Sequence, residues 1–532
     1  MVKVAFVWGI IVSTINPFFA QDLLKKAEKN PLDCAFYLLQ KDNERYFGDV
    51  KRLAYTFLEL SNYAKSKITI ELLEDKDYRF SNFVNFSTKL LKEGKIKETN
   101  NFLDFALKNL DKKNLPDKRI VIEFVDNLVK INRLNDAQIV VESFRNENEI
   151  EEICIKFAFS LLKQKKTSEI LTLINRPYFP INSNNNEIRA NVALILAKLN
   201  QNKLSLKILK EIEEHPFLGK SEIETENNRR FILPILLQTY LQLNQPEQAI
   251  KRWNQYGNSE DYYEISNLVN LLIDFGQNQK ALKLTGQMLE NKIELERKGS
   301  YVVSIFVRLG KIDKAFETAQ NISEKNDSYT QQESFMKIAD YFIRKKNSKK
   351  ATEILDFALQ KAKQVDFQHE TMQSNGASSG TRKRTYLQNI YNRYMKLNEF
   401  DKAFLAINSI NSKHWIANEF VATKNIDFAK QQYKTLPKAK ILELLKQSEN
   451  VIKDEEELHL IEIKLLSAEI YALIGDKNTA VALISQVLDE AKESCCYEDD
   501  FLVSAGKVFE KYKLKTTPNL QKALRNIIDP KY

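Results

Sequence analysis

Residues 310–315 read GKIDKA, and three further segments repeat the pattern of a small or turn-forming residue followed five positions later by alanine: GQNQKA at 276–281, KNSKKA at 346–351 and GDKNTA at 475–480. The spacing recurs in NRLNDA (132–137), NQPEQA (244–249) and NEFDKA (398–403), with GKIKET (94–99) ending in threonine instead. A tight turn between two helices accounts for it. Gly or Asn at the first position takes the left-handed conformation that closes a helix, and the small residue five later lets the next helix approach closely.

The residues upstream carry apolar side chains at i, i+3, i+4 and i+7, the stripe of an amphipathic helix. Examples are Val121, Phe124, Val125, Leu128; Leu233, Leu236, Leu237, Tyr240; Ile265, Leu268, Val269, Leu272; Phe335, Ile338, Ala339, Phe342; and Leu387, Ile390, Tyr391, Tyr394. Cys154, Phe157, Ala158 and Leu161 follow the same template, which makes Cys154 a core residue. Downstream, Ala351, Ile354, Leu355, Ala358 and Leu359 form the stripe of a second helix. Neither helix buries its face alone, so the expected fold is all-α: a right-handed α-solenoid of stacked helix-turn-helix hairpins with nearest-neighbour stability.

Composition agrees. The 532 residues include only 13 Gly and 11 Pro, too few for a turn-rich all-β fold. Hydrophobic residues make up 43%, enough for a large core. With 80 Lys+Arg against 71 Asp+Glu the net charge is +9, spread along the chain, and it identifies no partner.

Turn alanines 249, 281, 315 and 351 are 32, 34 and 36 residues apart, a period near 34. In this period, in Ala351, Ala358 and Leu359, in Ala106 and Leu107 downstream of Gly94, and in Tyr471 at a first-helix aromatic position, the chain resembles the tetratricopeptide repeat family. The resemblance covers about residues 80–490, roughly ten repeats. The family's first-helix Trp and closing Pro are missing, repeats near 165, 205 and 428 are weak, and a generic helical-hairpin solenoid accounts for the same spacing.

The expected organisation is a signal peptide at 1–20, N-terminal capping helices at 21–80, repeats at 81–365, a flexible polar loop at 366–385, repeats at 386–490 and C-terminal capping helices at 491–532. The leader MVKVAFVWGIIVSTINPFFAQ has one lysine, an apolar stretch too short to span a bilayer and Ala20 before Gln21. It implies export to the periplasm or beyond, without an integral membrane span. The loop, within DFQHETMQSNGASSGTRKR, stretches the step from Ala351 to Ala403 to 52 residues, and NRPYFPINSNNNE at 175–187 is a second break where the stack is expected to bend. Four cysteines cannot staple a chain this long. Cys34 and Cys154 read as buried hydrophobes, and the vicinal Cys495 and Cys496 lack companion ligands nearby.

No catalytic, cofactor or metal residue is expected. His215, His369, His414 and His459 include no i, i+4 pair, and neither a phosphate-binding glycine loop nor a Gly-x-Ser-x-Gly elbow occurs. Nucleic acid is disfavoured: steps of 32, 36 and 52 residues break the register by which pentatricopeptide-type stacks read one base per repeat, and the lysines near the turns suit helix C-terminal dipoles. In the family the chain resembles, first helices line a groove that receives peptides. That resemblance places Gln238, Asn270, Ser304 and Asp340 on the partner-binding surface, with Asp274, Arg308 and Arg344 one turn on. The basic slots of chaperone-binding members hold Pro234, Ser266, Ser300 and Met336 here, so that activity is not transferred. The expected function is a non-enzymatic, exported scaffold or assembly factor that binds a protein or peptide, the alternative being a helical carbohydrate-active lyase or glycosidase.

Overall fold

A computed structural model describes residues 17–41, 47–111, 116–144, 149–214, 222–258, 261–290, 292–322, 328–364, 380–409, 415–452, 457–491 and 498–529. Among them lie 28 helices and no strand. Within each of the chain's two compact units, most first helices pack on their own second helix and on the first helix of the next pair. The chain is thus an all-α solenoid of helical hairpins, as the turn spacing implies.

The turn reading holds residue by residue. All eight first positions have positive φ: Gly94, Asn132, Asn244, Gly276, Gly310, Lys346, Asn398 and Gly475. Behind each, the next N–H reaches back to close the helix, as from Lys311 to the Phe306 carbonyl (2.8 Å) and from Asp476 to that of Tyr471 (2.8 Å). Gly310 N–H reaches the Val307 carbonyl at 3.1 Å, completing the paired bonds of a Schellman motif. The residue five positions on has no solvent exposure at Thr99, Ala137, Ala249, Ala281, Ala315, Ala351, Ala403 and Ala480. The first-helix stripes are buried as expected, apart from Phe342, which is half-buried.

Two hairpins that read as weak are regular. Lys165 (φ 57°) and Asn200 (φ 61°) close the first helices of Ile150–Lys163 with Thr167–Ile174 and of Asn186–Lys198 with Asn202–Glu214. Ile170 and Ser205 occupy the buried alanine position. Near 428 the hairpin departs from the pattern: Trp415–Gln432 meets Lys438–Val451 through Thr435 N–H to the Gln432 carbonyl (3.0 Å) and a proline N-cap, Pro437.

The described chain forms two compact units, residues 1–120 with 411–532, and 121–410. The first unit contains both ends. Segments assigned above to caps carry the same turn: Ser61 (φ 59°) joins Phe47–Glu59 to Tyr63–Glu71, and Lys513 (φ 50°) follows Glu498–Lys511, which leads to Pro518–Ile528. They pack on one another. Pro31–Lys41 and Phe47–Glu59 both lie against Glu498–Lys511, so the row of first helices runs from Trp415–Gln432 through Glu457–Leu473 and Glu498–Lys511 to Phe47–Glu59 and Lys76–Lys92. Gly506 marks the closest approach, where an added Cβ would lie 2.6 Å from the Leu32 backbone nitrogen. Around it Thr516 donates to the Lys29 carbonyl, Arg525 pairs with Glu28 (2.9 Å), and Asn30 bonds Glu510.

Residues 1–16 of the expected signal peptide, residues 366–379 of the polar loop, and Cys495 with Cys496 lie outside the described residues; Pro17–Ala27 and Gly380–Lys396 are helical. No helix among the described residues is long and apolar enough to cross a membrane. Cys34 and Cys154 are fully buried, and burial pushes the Cys154 thiol up to about 12. The break at 175–185 is pinned to the preceding hairpins by Ser183 donating to Glu151 (2.7 Å) and Tyr178 donating to Glu142 (3.2 Å).

Candidate interaction surface

All seven candidate residues lie on first helices of the 121–410 unit: Gln238 on Glu222–Gln242, Asn270 and Asp274 on Tyr262–Asp274, Ser304 and Arg308 on Lys292–Arg308, and Asp340 and Arg344 on Ser328–Arg344. The fold brings three of them together. Arg308 donates to Asn270 Oδ1 and to Asp274 Oδ1, each at 2.5 Å. Asp340 instead receives both arms of Arg393, from Gly380–Lys396, at 2.9 and 2.6 Å. Gln238 and Ser304 are half-buried on the same row, and Arg344 is exposed. Four candidates are therefore engaged in tying one first helix to the next. The Arg308–Asp274 link is solvent-accessible, with side-chain exposures of 35% and 58%, so it contributes about 1 kcal/mol or less.

The slots read as lacking basic residues are turned inward at Ser266, Ser300 and Met336, all buried. Pro234 instead lines a small cavity of about 110 Å³ with Leu233, Leu237, Trp253, Leu268 and Leu271. Phe231 and Tyr263 are unusually exposed large side chains on these two helices, and the Tyr263 ring meets Tyr301 edge-on at 6.2 Å. At the cavity mouth Arg229 is clamped between Glu226 (2.6 Å) and the half-buried Glu264 (2.7 Å). Its hydrogen bonds hold the Glu226 carboxyl down to about 2.

Sequence reasoning missed Arg229, although a usable signal exists. Arg229 and Glu264 are 35 positions apart, Asp274 and Arg308 34, and Asp126 and Ser160 34 (2.6 Å). Complementary polar residues one repeat apart meet side by side on neighbouring first helices.

A second cleft lies in the unit built from both ends of the sequence. It encloses about 560 Å³ and is walled by Phe47–Glu59, Trp415–Gln432, Glu457–Leu473 and Glu498–Lys511. Leu465, Leu466, Phe501 and Val508 supply apolar lining. Glu469, 9% exposed, receives Lys430 (2.6 Å), Lys511 (2.8 Å) and the Tyr512 hydroxyl (3.1 Å). Burial raises the Glu469 carboxyl, but the two lysine hydrogen bonds outweigh it and hold the group below the ordinary range. Glu59 likewise receives Lys507 (2.6 Å) and Lys89 (3.1 Å), and Arg52 pairs with Asp500. Among the described residues no group of three His, Cys, Asp or Glu converges as metal ligands do.

No protein-family model matches the chain. No curated protein matches it either. Among solved structures it is similar to the pentatricopeptide repeat protein PPR10 from maize, at 12% identity and TM-score 0.33, covering 99% of this chain and 80% of that one. It is also similar to Ton1535 from Thermococcus onnurineus NA1 (14%, TM-score 0.21, covering 74% and 97%) and to the APC/C hetero-tetramer Cut9-Hcn1 (12%, TM-score 0.20, covering 80% and 96%). Values of this size carry no functional reading, and the fold rests on the hairpins themselves.

Proposed function

We propose that this chain is an exported, non-enzymatic scaffold that holds another protein along its row of first helices. The observation that carries the reading is the 121–410 face, where Phe231 and Tyr263 stand exposed beside an apolar cavity and continue into the polar Asn270, Asp274 and Arg308 cluster. Large aromatics with a small pocket and flanking polar groups are the elements of a protein interface, which needs many contacts and no reactive group. On this reading the cavity receives one apolar side chain, and Gln238, Ser304, Asp340 and Arg344 extend the contact. Export rests on the leader sequence.

Site-specific photocrosslinking tests the surface. A crosslinker at Tyr263 or Ser304 captures the partner, and one at Lys283 or Glu317, exposed on second helices, does not. Equal capture from both sets overturns the reading. Cell fractionation with mass analysis tests export, the expected mature chain beginning at Gln21.

A further inference from the structure

The cleft of the end-joining unit differs from the 121–410 face in one respect: its charges are sorted by depth. In each ion pair whose cation lines the cleft the cation is the more exposed partner, whereas Lys89, outside the lining, is level with Glu59 at 26% against 27%. Side-chain exposures are 40% for Lys430 and 44% for Lys511 against 12% for the Glu469 they share, 43% for Lys507 against 27% for Glu59, and 50% for Arg52 against 33% for Asp500. Twice, one carboxylate serves two lysines: Glu469 with Lys430 and Lys511, Glu59 with Lys89 and Lys507. An ammonium has three protons to donate and a shared carboxylate cannot satisfy six. Lys430, Lys507, Lys511 and Arg52 all line the cleft, as does one further acid, Glu462. A solute entering it therefore meets exposed cations with unused donors, beside less exposed carboxylates and apolar side chains.

We propose that this cleft binds an acidic, partly apolar peptide segment of another protein, its carboxylates taken by Lys430, Lys507 and Lys511 and its apolar side chains by Phe501 and Val508. The proposal deepens the scaffold reading and rests on it. The volume suits several side chains rather than a folded domain. Because Arg52 comes from the N-terminal segment and the lysines from the C-terminal one, an occupant spans both and reinforces their packing.

The test uses the full-length protein and fluorescein-labelled peptides of alternating glutamate and leucine, followed by anisotropy. Binding is expected, weakening as salt rises, absent for the glutamine–leucine counterpart, and reduced about tenfold by Lys507→Gln combined with Lys511→Gln, since both lysines are partly exposed and their charge contacts are screened by solvent. Lys507→Arg with Lys511→Arg, which preserves the charges, retains binding and guards against misfolding as the cause of the loss. Amide exchange in Phe47–Glu59 and Glu498–Lys511 slows when the peptide is bound. Equal binding of the glutamine–leucine peptide, or indifference to the lysine variants, overturns the proposal. So does preferential binding of oligoadenylate with the same lysine dependence, which makes the cleft a nucleic-acid site. If the peptide is lost on Tyr263→Ala or Arg308→Ala instead, the cleft fails and the scaffold reading stands. If no peptide binds and first-helix crosslinkers capture nothing, both fail.

Discussion

Replacing Gly506 by alanine sets two effects of opposite sign against each other. Gly506 lies within the helix Glu498–Lys511, where alanine is favoured over glycine by about 1 kcal/mol through helix propensity alone. The new methyl, however, lands 2.6 Å from the Leu32 nitrogen, 2.7 Å from its Cβ and 2.9 Å from its Cα. Backbone cannot step aside as a flexible side chain does, so the Pro31–Lys41 helix must lift by roughly 1 Å to reach ordinary van der Waals separation near 3.5–4.0 Å. That loosens a contact around Leu32 (2% exposed), Cys34 (0%) and Ala35 (4%). Overpacking of this kind costs about 1–3 kcal/mol and more where nothing relaxes, so the net expectation is a loss of about 1–2 kcal/mol. Hydrogen exchange with peptide-level resolution reads it: amides of Pro31–Lys41 exchange about tenfold faster per 1.4 kcal/mol lost, while hairpins of the 121–410 unit are unchanged. Slower exchange, the signature of the propensity gain alone, refutes the close approach of the two chain ends.

Other perturbations address the turns, the surface and the ionisable groups. Ala315→Leu places three extra heavy atoms at a fully buried turn position and should cost about 1–3 kcal/mol in thermal or denaturant unfolding, against less than 0.5 kcal/mol, roughly, for the exposed Glu317→Ala one turn region away. Arg308→Ala removes an accessible pair, so unfolding should shift by about 1 kcal/mol or less while partner crosslinking at Ser304 falls. In the folded protein Cys34 and Cys154 should resist iodoacetamide at mildly alkaline pH and react only after denaturation, as mapped by mass spectrometry; burial of both and the raised Cys154 thiol leave no accessible thiolate. Glu469 and Glu59 are held below the ordinary glutamate value of 4.5, so their contribution is complete above it and is lost as pH falls through the depressed folded values. Exchange in Glu457–Leu473 should therefore accelerate below about pH 4.5, a dependence that Glu469→Gln flattens.

The hairpins were legible because their turns impose a local demand: one left-handed residue and one small buried residue at a fixed offset. Where chemistry satisfied that demand with an unusual residue, the reading weakened. Lys165 and Lys346 both adopt φ 57°, yet only the second is followed by alanine; Ile170 conceals the first. Asn200 with Ser205 is concealed the same way. The candidate face was legible as positions but not as contacts, since Asp340 meets Arg393 across the long 346–398 step, which no constant period predicts. The end-joining cleft was invisible for a different reason. Its walls come from residues more than 400 positions apart, such as Lys507 and Glu59, and no repeat spacing links them.

The packing of Pro31–Lys41 and Phe47–Glu59 on Glu498–Lys511 changes what a truncation means for this molecule. A stack with free ends can shed an outer hairpin and leave a shorter, still soluble rod. Here the outermost hairpins cover each other, so clipping either terminus strips the opposite one of its apolar cover, and the shortened polypeptide is expected to be prone to proteolysis and self-association.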